Sequence, residues 1–147
     1  MSEPTLKDMM AAYAEDAVDY ATKSGGKVLD YSPESIAIVE DLAATLHKAL
    51  PKGFFGKLFA RGPSPAQLET MCKVLGGYVG EVIRRERGGE WSVNEELNAL
   101  GLQLGPETWA FPVAKVHRRL INGSEDNLES FYRVMMTDLN GLGKADS

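Results

Sequence analysis

The stretch from Ser64 to Gly89 restricts the fold more than any other part of the chain. Ser64, Pro65 and Gln67 form a capping box: a serine hydroxyl can accept from the third helical N–H while the glutamine reaches back, and proline at the first helical position loses nothing by lacking a donor. Leu68, Met71, Cys72, Leu75, Val79, Val82 and Ile83 then recur at spacings of three and four, and Gly88-Gly89 offers a stop. The pattern predicts a helix from Pro65 to about Arg87. Inside it stand Gly76, Gly77 and Gly80, each costing a helix on the order of 1 kcal/mol relative to alanine. Close packing offsets such a cost. Gly76 and Gly80, four apart, leave a side-chain-free strip on which a neighbouring element can lie, so the helix is expected to be central and buried. A phosphate-binding loop is excluded, because neither G-x-G-x-x-G nor G-K-[ST] occurs and mid-helix N–H groups are already used.

Around this rod the remaining segments read as shorter elements. Leu6, Met10, Tyr13, Ala17 and Tyr20 make one helical stripe between Thr5 and Ser24, closed by Gly25-Gly26. Ser32 and Pro33 open a second helix whose stripe is Ile36, Val39, Ala43, Leu46 and Leu50, ended by Pro51. After Gly89 the period falls to two: Trp91 and Val93, then Leu100, Leu102 and Leu104, then Trp109 and Phe111 alternate with other residues, which predicts three antiparallel strands. Both tryptophans are expected to seal this sheet against the helices. Pro112 starts a short helix closed by Asn122-Gly123, and Ser124 with Glu125 and Asp126 starts a last one, with Asn140 to Ser147 as a frayed tail. The fold class is therefore α+β, about five helices on a small three-stranded antiparallel meander, in one domain spanning 1–147.

Charge and cysteine usage narrow the partners. Twenty-one acids against sixteen bases give a net charge of -5, which repels phosphate backbones and argues against nucleic acid. A lone cysteine, Cys72, excludes an intramolecular disulfide. With no signal-peptide pattern in Met1 to Pro4 and no apolar run of spanning length, the expected address is the cytoplasm. No H-E-x-x-H, C-x-x-C, G-x-S-x-G or kinase motif occurs, and the histidines His47 and His117 have no spacing that would converge on a metal, so no cofactor or metal is expected.

Three groups of residues remain as candidate sites. Glu15, Asp16 and Asp19 on the first helix, with Glu34, Glu40 and Asp41 on the second, offer carboxylates to a cationic protein. Phe54, Phe55 and Phe59, interleaved with Lys52, Lys57 and Arg61, either belong to a loop that tucks two of the rings under the core and leaves the bases in solvent, or suit a partner protein or, more weakly, a membrane surface. Glu81 faces Arg84 and Arg85 at spacings of three and four, the geometry of an exposed helical ion pair. Should the bare backbone at Gly77 and Gly80 instead draw Glu81 under the sheet, its carboxylate would need an arginine or backbone donors and would become a polar site, the basis of an alternative reading as a small enzyme or ligand-binding domain.

The run from Leu75 to Arg85, Gly88-Gly-Glu-Trp91, Phe111 to Val116 and the block from Asn122 to Tyr132 resemble a group of small bacterial proteins carrying a domain of unknown function, over about the C-terminal half of the chain. Some small acidic bacterial proteins of this kind are immunity proteins against interbacterial toxins. The resemblance implies a non-enzymatic, protein-binding inhibitor of a cationic toxin, and it assigns no inhibitory residue.

Overall fold

A computed structural model describes residues 4–50 and 64–145, of which 138–145 are described as helix backbone only. The described residues include five α-helices and one three-stranded sheet: α1 (Leu6–Lys23), α2 (Ile36–Ala49), α3 (Pro65–Arg87), β1 (Glu90–Asn94), β2 (Ala99–Gln103), β3 (Trp109–Ala110), α4 (Pro112–Asn122) and α5 (Leu128–Ala145). The fold is α+β, as its sequence periodicities predict.

The helix boundaries follow local chemistry. Ser64 and Gln67 form the reciprocal cap of α3, with Ser64 N–H donating to Gln67 Oε1 at 2.8 Å and Gln67 N–H to Ser64 Oγ at 3.2 Å. Thr5 and Asp8 build a second such box at the start of α1. Ser32 and Pro33 do not open α2 directly. They start a 3-10 turn, Pro33–Ser35, whose last residue leads into the helix. A second 3-10 turn, Ser124–Asp126, precedes α5. That helix continues as far as Ala145, through most of the segment expected to fray, since glycines such as Gly141 and Gly143 weaken a helix without forcing it to stop.

α3 is the central rod. It packs against α1, α4, α5 and α2, and every residue from Val74 to Ile83 is buried. The glycines permit this crowding. A Cβ at Gly76 would lie 2.5 Å from Val113 Cα, one at Gly77 3.1 Å from Tyr13 Cβ, and one at Gly80 would overlap the Trp91 ring. Gly76 and Gly80 therefore receive the start of α4 and the Trp91 side chain, while Gly77 receives α1.

The sheet runs β1-β2-β3, antiparallel throughout. Trp91 pairs with Leu102 and Leu102 with Ala110; all three are buried and form the row that faces the core. Trp109 lies next to Ala110, so the two-residue period turns it to the opposite face. There it stacks on Phe111, with ring centroids 5.9 Å apart and planes 7° from parallel. The expectation that both tryptophans seal the sheet against the helices thus holds for Trp91 and fails for Trp109. Val93, 51% exposed, also falls outside the core.

Candidate functional site

Glu81 is 2% exposed and not part of a solvated ion pair. Arg84 Nε and Nη2 donate to its two carboxylate oxygens at 2.9 and 3.1 Å, and the Trp91 indole N–H donates to Oε2 at 2.9 Å. The cause is the neighbouring gap: with no side chain at Gly80, Trp91 drops onto the helix and its N–H meets the next residue's carboxylate. Burial acts to raise the Glu81 pKa, but the hydrogen bonds from Arg84 and Trp91 and the charges of Arg84 and Arg85 outweigh it and hold the carboxyl below its ordinary 4.5. Glu81 is thus an ionised, fully engaged anchor between α3 and β1. Arg85 turns elsewhere, its guanidinium lying 3.6 Å from the centroid of the Tyr31 ring.

Glu40 requires a correction. It does not belong to an acidic surface on α2: it is 7% exposed and accepts from Arg119 Nη2 at 2.7 Å, from Arg119 Nε at 2.9 Å and from the backbone N–H of Leu128 at 2.9 Å. One carboxylate therefore joins α2, α4 and the first residue of α5. A negative group at a helix N-terminus satisfies an orphan donor and complements the helix dipole. Arg119 has no place among the candidates read from sequence. A signal for both residues existed, since Glu40 falls between Ile36 and Ala43 on the apolar stripe of α2 and Arg119 falls between Val116 and Leu120 on that of α4.

A third polar cluster fixes the turn before α2. The Tyr78 hydroxyl donates to Ser35 Oγ at 2.6 Å and accepts from the Tyr31 N–H at 2.7 Å, because the Ser35 hydroxyl gives its own hydrogen to the Ser32 carbonyl at 2.7 Å. Tyr31 sits at a φ of 64°, a left-handed conformation uncommon for a bulky residue. Its hydroxyl donates to Glu15, and burial together with that bond pushes its pKa up. Glu15 is thereby tied to the loop while remaining exposed.

The other acidic candidates stay on the surface. Asp16, Asp19, Glu34 and Asp41 are exposed, and Asp41 lies 3.9 Å from Lys27. Phe54, Phe55 and Phe59 lie outside the described residues. Beside Glu34, a groove of about 280 Å³ opens between the Pro33–Ser35 turn, the start of α2 and α5. Pro33, Ile36, Tyr132 and Met136 provide its apolar walls, and Glu34, Glu129 and Arg133 its charges. Nothing in the residue spacings marks this groove, because its two sides are about a hundred positions apart in the chain.

Cys72 and His47 are both held within the fold. Burial pushes the Cys72 thiol up to about 11, with Glu69 adding to the shift, so it stays protonated at neutral pH. His47 Nδ1 lies 2.6 Å from the Leu120 carbonyl oxygen, which can only accept, so Nδ1 carries the hydrogen. His117 is exposed on α4. Among the described residues no group of three or more His, Cys, Asp or Glu side chains is placed to hold a metal ion, and no helix is long and apolar enough to cross a membrane. No protein-family model, curated protein or solved structure matches the chain.

Proposed function

We propose that this is a non-enzymatic protein-binding domain of the immunity or antitoxin kind, which covers a cationic surface of a bacterial toxin with an acidic surface of its own. One observation carries the reading, the way the fold divides its carboxylates. Glu40 and Glu81, the two buried ones among the described residues, are consumed by Arg119 and Arg84 in holding helices and sheet together. Asp16, Asp19 and Glu34 are left at the surface with no ion-pair partner among the described residues, on a chain of net charge -5. Carboxylates without a partner within the fold are available to one outside it, where they steer association and select against acidic competitors. The small resemblance to bacterial proteins supports the setting, and a single buried thiol suits the cytoplasm.

Affinity capture from the producing cells, followed by calorimetry on whatever co-purifies at a stoichiometric level, tests the reading. A basic protein is expected, its association slowing as salt rises, and Asp16→Lys with Asp19→Lys should weaken binding about tenfold or more. A partner whose affinity ignores both salt and these substitutions, or no stoichiometric partner at all, contradicts it.

A further inference from the structure

We infer that the groove between the Pro33–Ser35 turn and α5 receives an arginine or lysine side chain presented by the partner protein. The inference rests on the protein-binding reading and gives it a place. Three observations carry it. The first is size: at about 280 Å³ the groove lies just under the roughly 300–1,000 Å³ of pockets that enclose whole small ligands, and it suits one or two inserted side chains. The second is the match of surfaces. Arginine and lysine present an aliphatic stem and a charged head, and here the stem would meet Pro33, Ile36 and Met136 while the head would meet the Tyr132 ring and the carboxylates of Glu34 and Glu129. A cation over an aromatic face is stabilised further when flanked by carboxylates.

The third observation is charge and rigidity. Arg133 is the one base among the described charged residues of the groove. Against it stand Glu34 and Glu129, and at Tyr132 burial, followed by the charges of Glu86 and Glu34, raises the hydroxyl's pKa. Two carboxylates against one guanidinium leave the described lining of the groove negative. Glu34 projects from a turn that does not have to reorganise, because Ser35 is bonded to both the Ser32 carbonyl and the Tyr78 hydroxyl. Pre-organisation of this kind lowers the entropic cost of binding.

The test is a titration of the ¹⁵N-labelled full chain, followed by amide shifts, with acetyl-Leu-Arg-amide, with the uncharged acetyl-Leu-citrulline-amide, with spermidine and with nona-arginine. Saturable shifts at Glu34, Glu129, Tyr132 and Met136 are expected with the arginine peptide, about fivefold weaker binding with citrulline, and a comparable loss in Glu34→Gln/Glu129→Gln. Both positions lie at the surface or half-buried, and an unchanged melting temperature confirms that the variant folds. Equal binding of citrulline overturns the proposal. Spermidine matching the peptide overturns it in favour of a free amine, and groove shifts on simple dilution overturn it in favour of a second copy of this chain. Nona-arginine shifting Asp16 and Asp19 alone overturns the groove while leaving the protein-binding reading intact; that reading fails separately, on the capture experiment.

Discussion

Glu81 and Glu40 are both buried carboxylates gripped by an arginine, yet the first grip closes within one turn of α3 and the second spans α2, α4 and α5. Arg84 is 29% exposed on its side chain, and Glu81 keeps the Trp91 N–H if Arg84 is lost. Arg119 is 4% exposed, and without it Glu40 is left with one backbone donor in the interior. The same chemistry therefore carries different structural weight. A local pair adjusts one helix surface, whereas a pair between distant segments fixes how three helices meet. Neither pair opens onto the groove, so the polar interior and the proposed binding surface divide the work between scaffold and recognition.

Substitution separates the two ion pairs. Arg119→Met should have the largest effect, about 3–5 kcal/mol of lost stability in urea denaturation, because it strands a buried charge. Glu40→Leu with Arg119→Met should recover most of that loss, to within about 2 kcal/mol of the parent, since two apolar groups of similar volume need no partners. Failure to recover would mean that the Glu40 contact to Leu128 N–H, and not the ion pair, dominates.

Gly80→Ala comes next, at about 2–3 kcal/mol, because the added methyl overlaps a Trp91 ring that is itself tethered to Glu81. Displacement of that ring should also shift the tryptophan fluorescence. Gly77→Ala, whose Cβ meets Tyr13 Cβ at 3.1 Å, sets the helical gain of alanine against a small movement of α1 and should stay within about 1 kcal/mol.

Arg84→Met should cost about 1–2 kcal/mol at neutral pH, less than Arg119→Met because solvent reaches the site. The loss depends on pH. The folded Glu81 pKa lies below the ordinary 4.5, so the stabilisation from its ionised form is complete above that value and is lost as pH falls through the folded pKa. The difference between parent and Arg84→Met should therefore be constant near pH 7 and shrink in acid, measured by urea denaturation at several pH values. Asp16→Lys with Asp19→Lys, on the exposed face of α1, should change stability by no more than about 0.5 kcal/mol while lowering partner affinity.

How much of this was legible in the sequence depended on how far apart the deciding residues stand. The cap of α3 was readable because Ser64 and Gln67 are three residues apart and bond to each other. The glycine strip was readable as a packing surface because the cost of glycine in a helix is local, although which neighbours fill it, Val113, Tyr13 and Trp91, is a tertiary fact. Trp109 was misread because alternation gives the period of a strand but not its phase. The pairing of Leu102 with Ala110 sets that phase and places Trp109 outside. Glu40 was misread because carboxylates are rarely buried, and its partner lies 79 residues away. Glu81 was readable as a pair with Arg84, but its burial depended on Trp91 settling over Gly80. The groove had no sequence signature, since Glu34 and Tyr132 meet only through the packing of α2 and α5.

The most direct test of the division between scaffold and recognition is the dissociation constant of the captured partner for two variants measured side by side, Asp16→Lys/Asp19→Lys and Glu40→Leu/Arg119→Met. Loss of about tenfold or more in the first, with the second within about twofold of the parent, is the expected result. Full affinity in the charge-reversed surface variant, together with lost affinity in the folded core variant, would contradict the account.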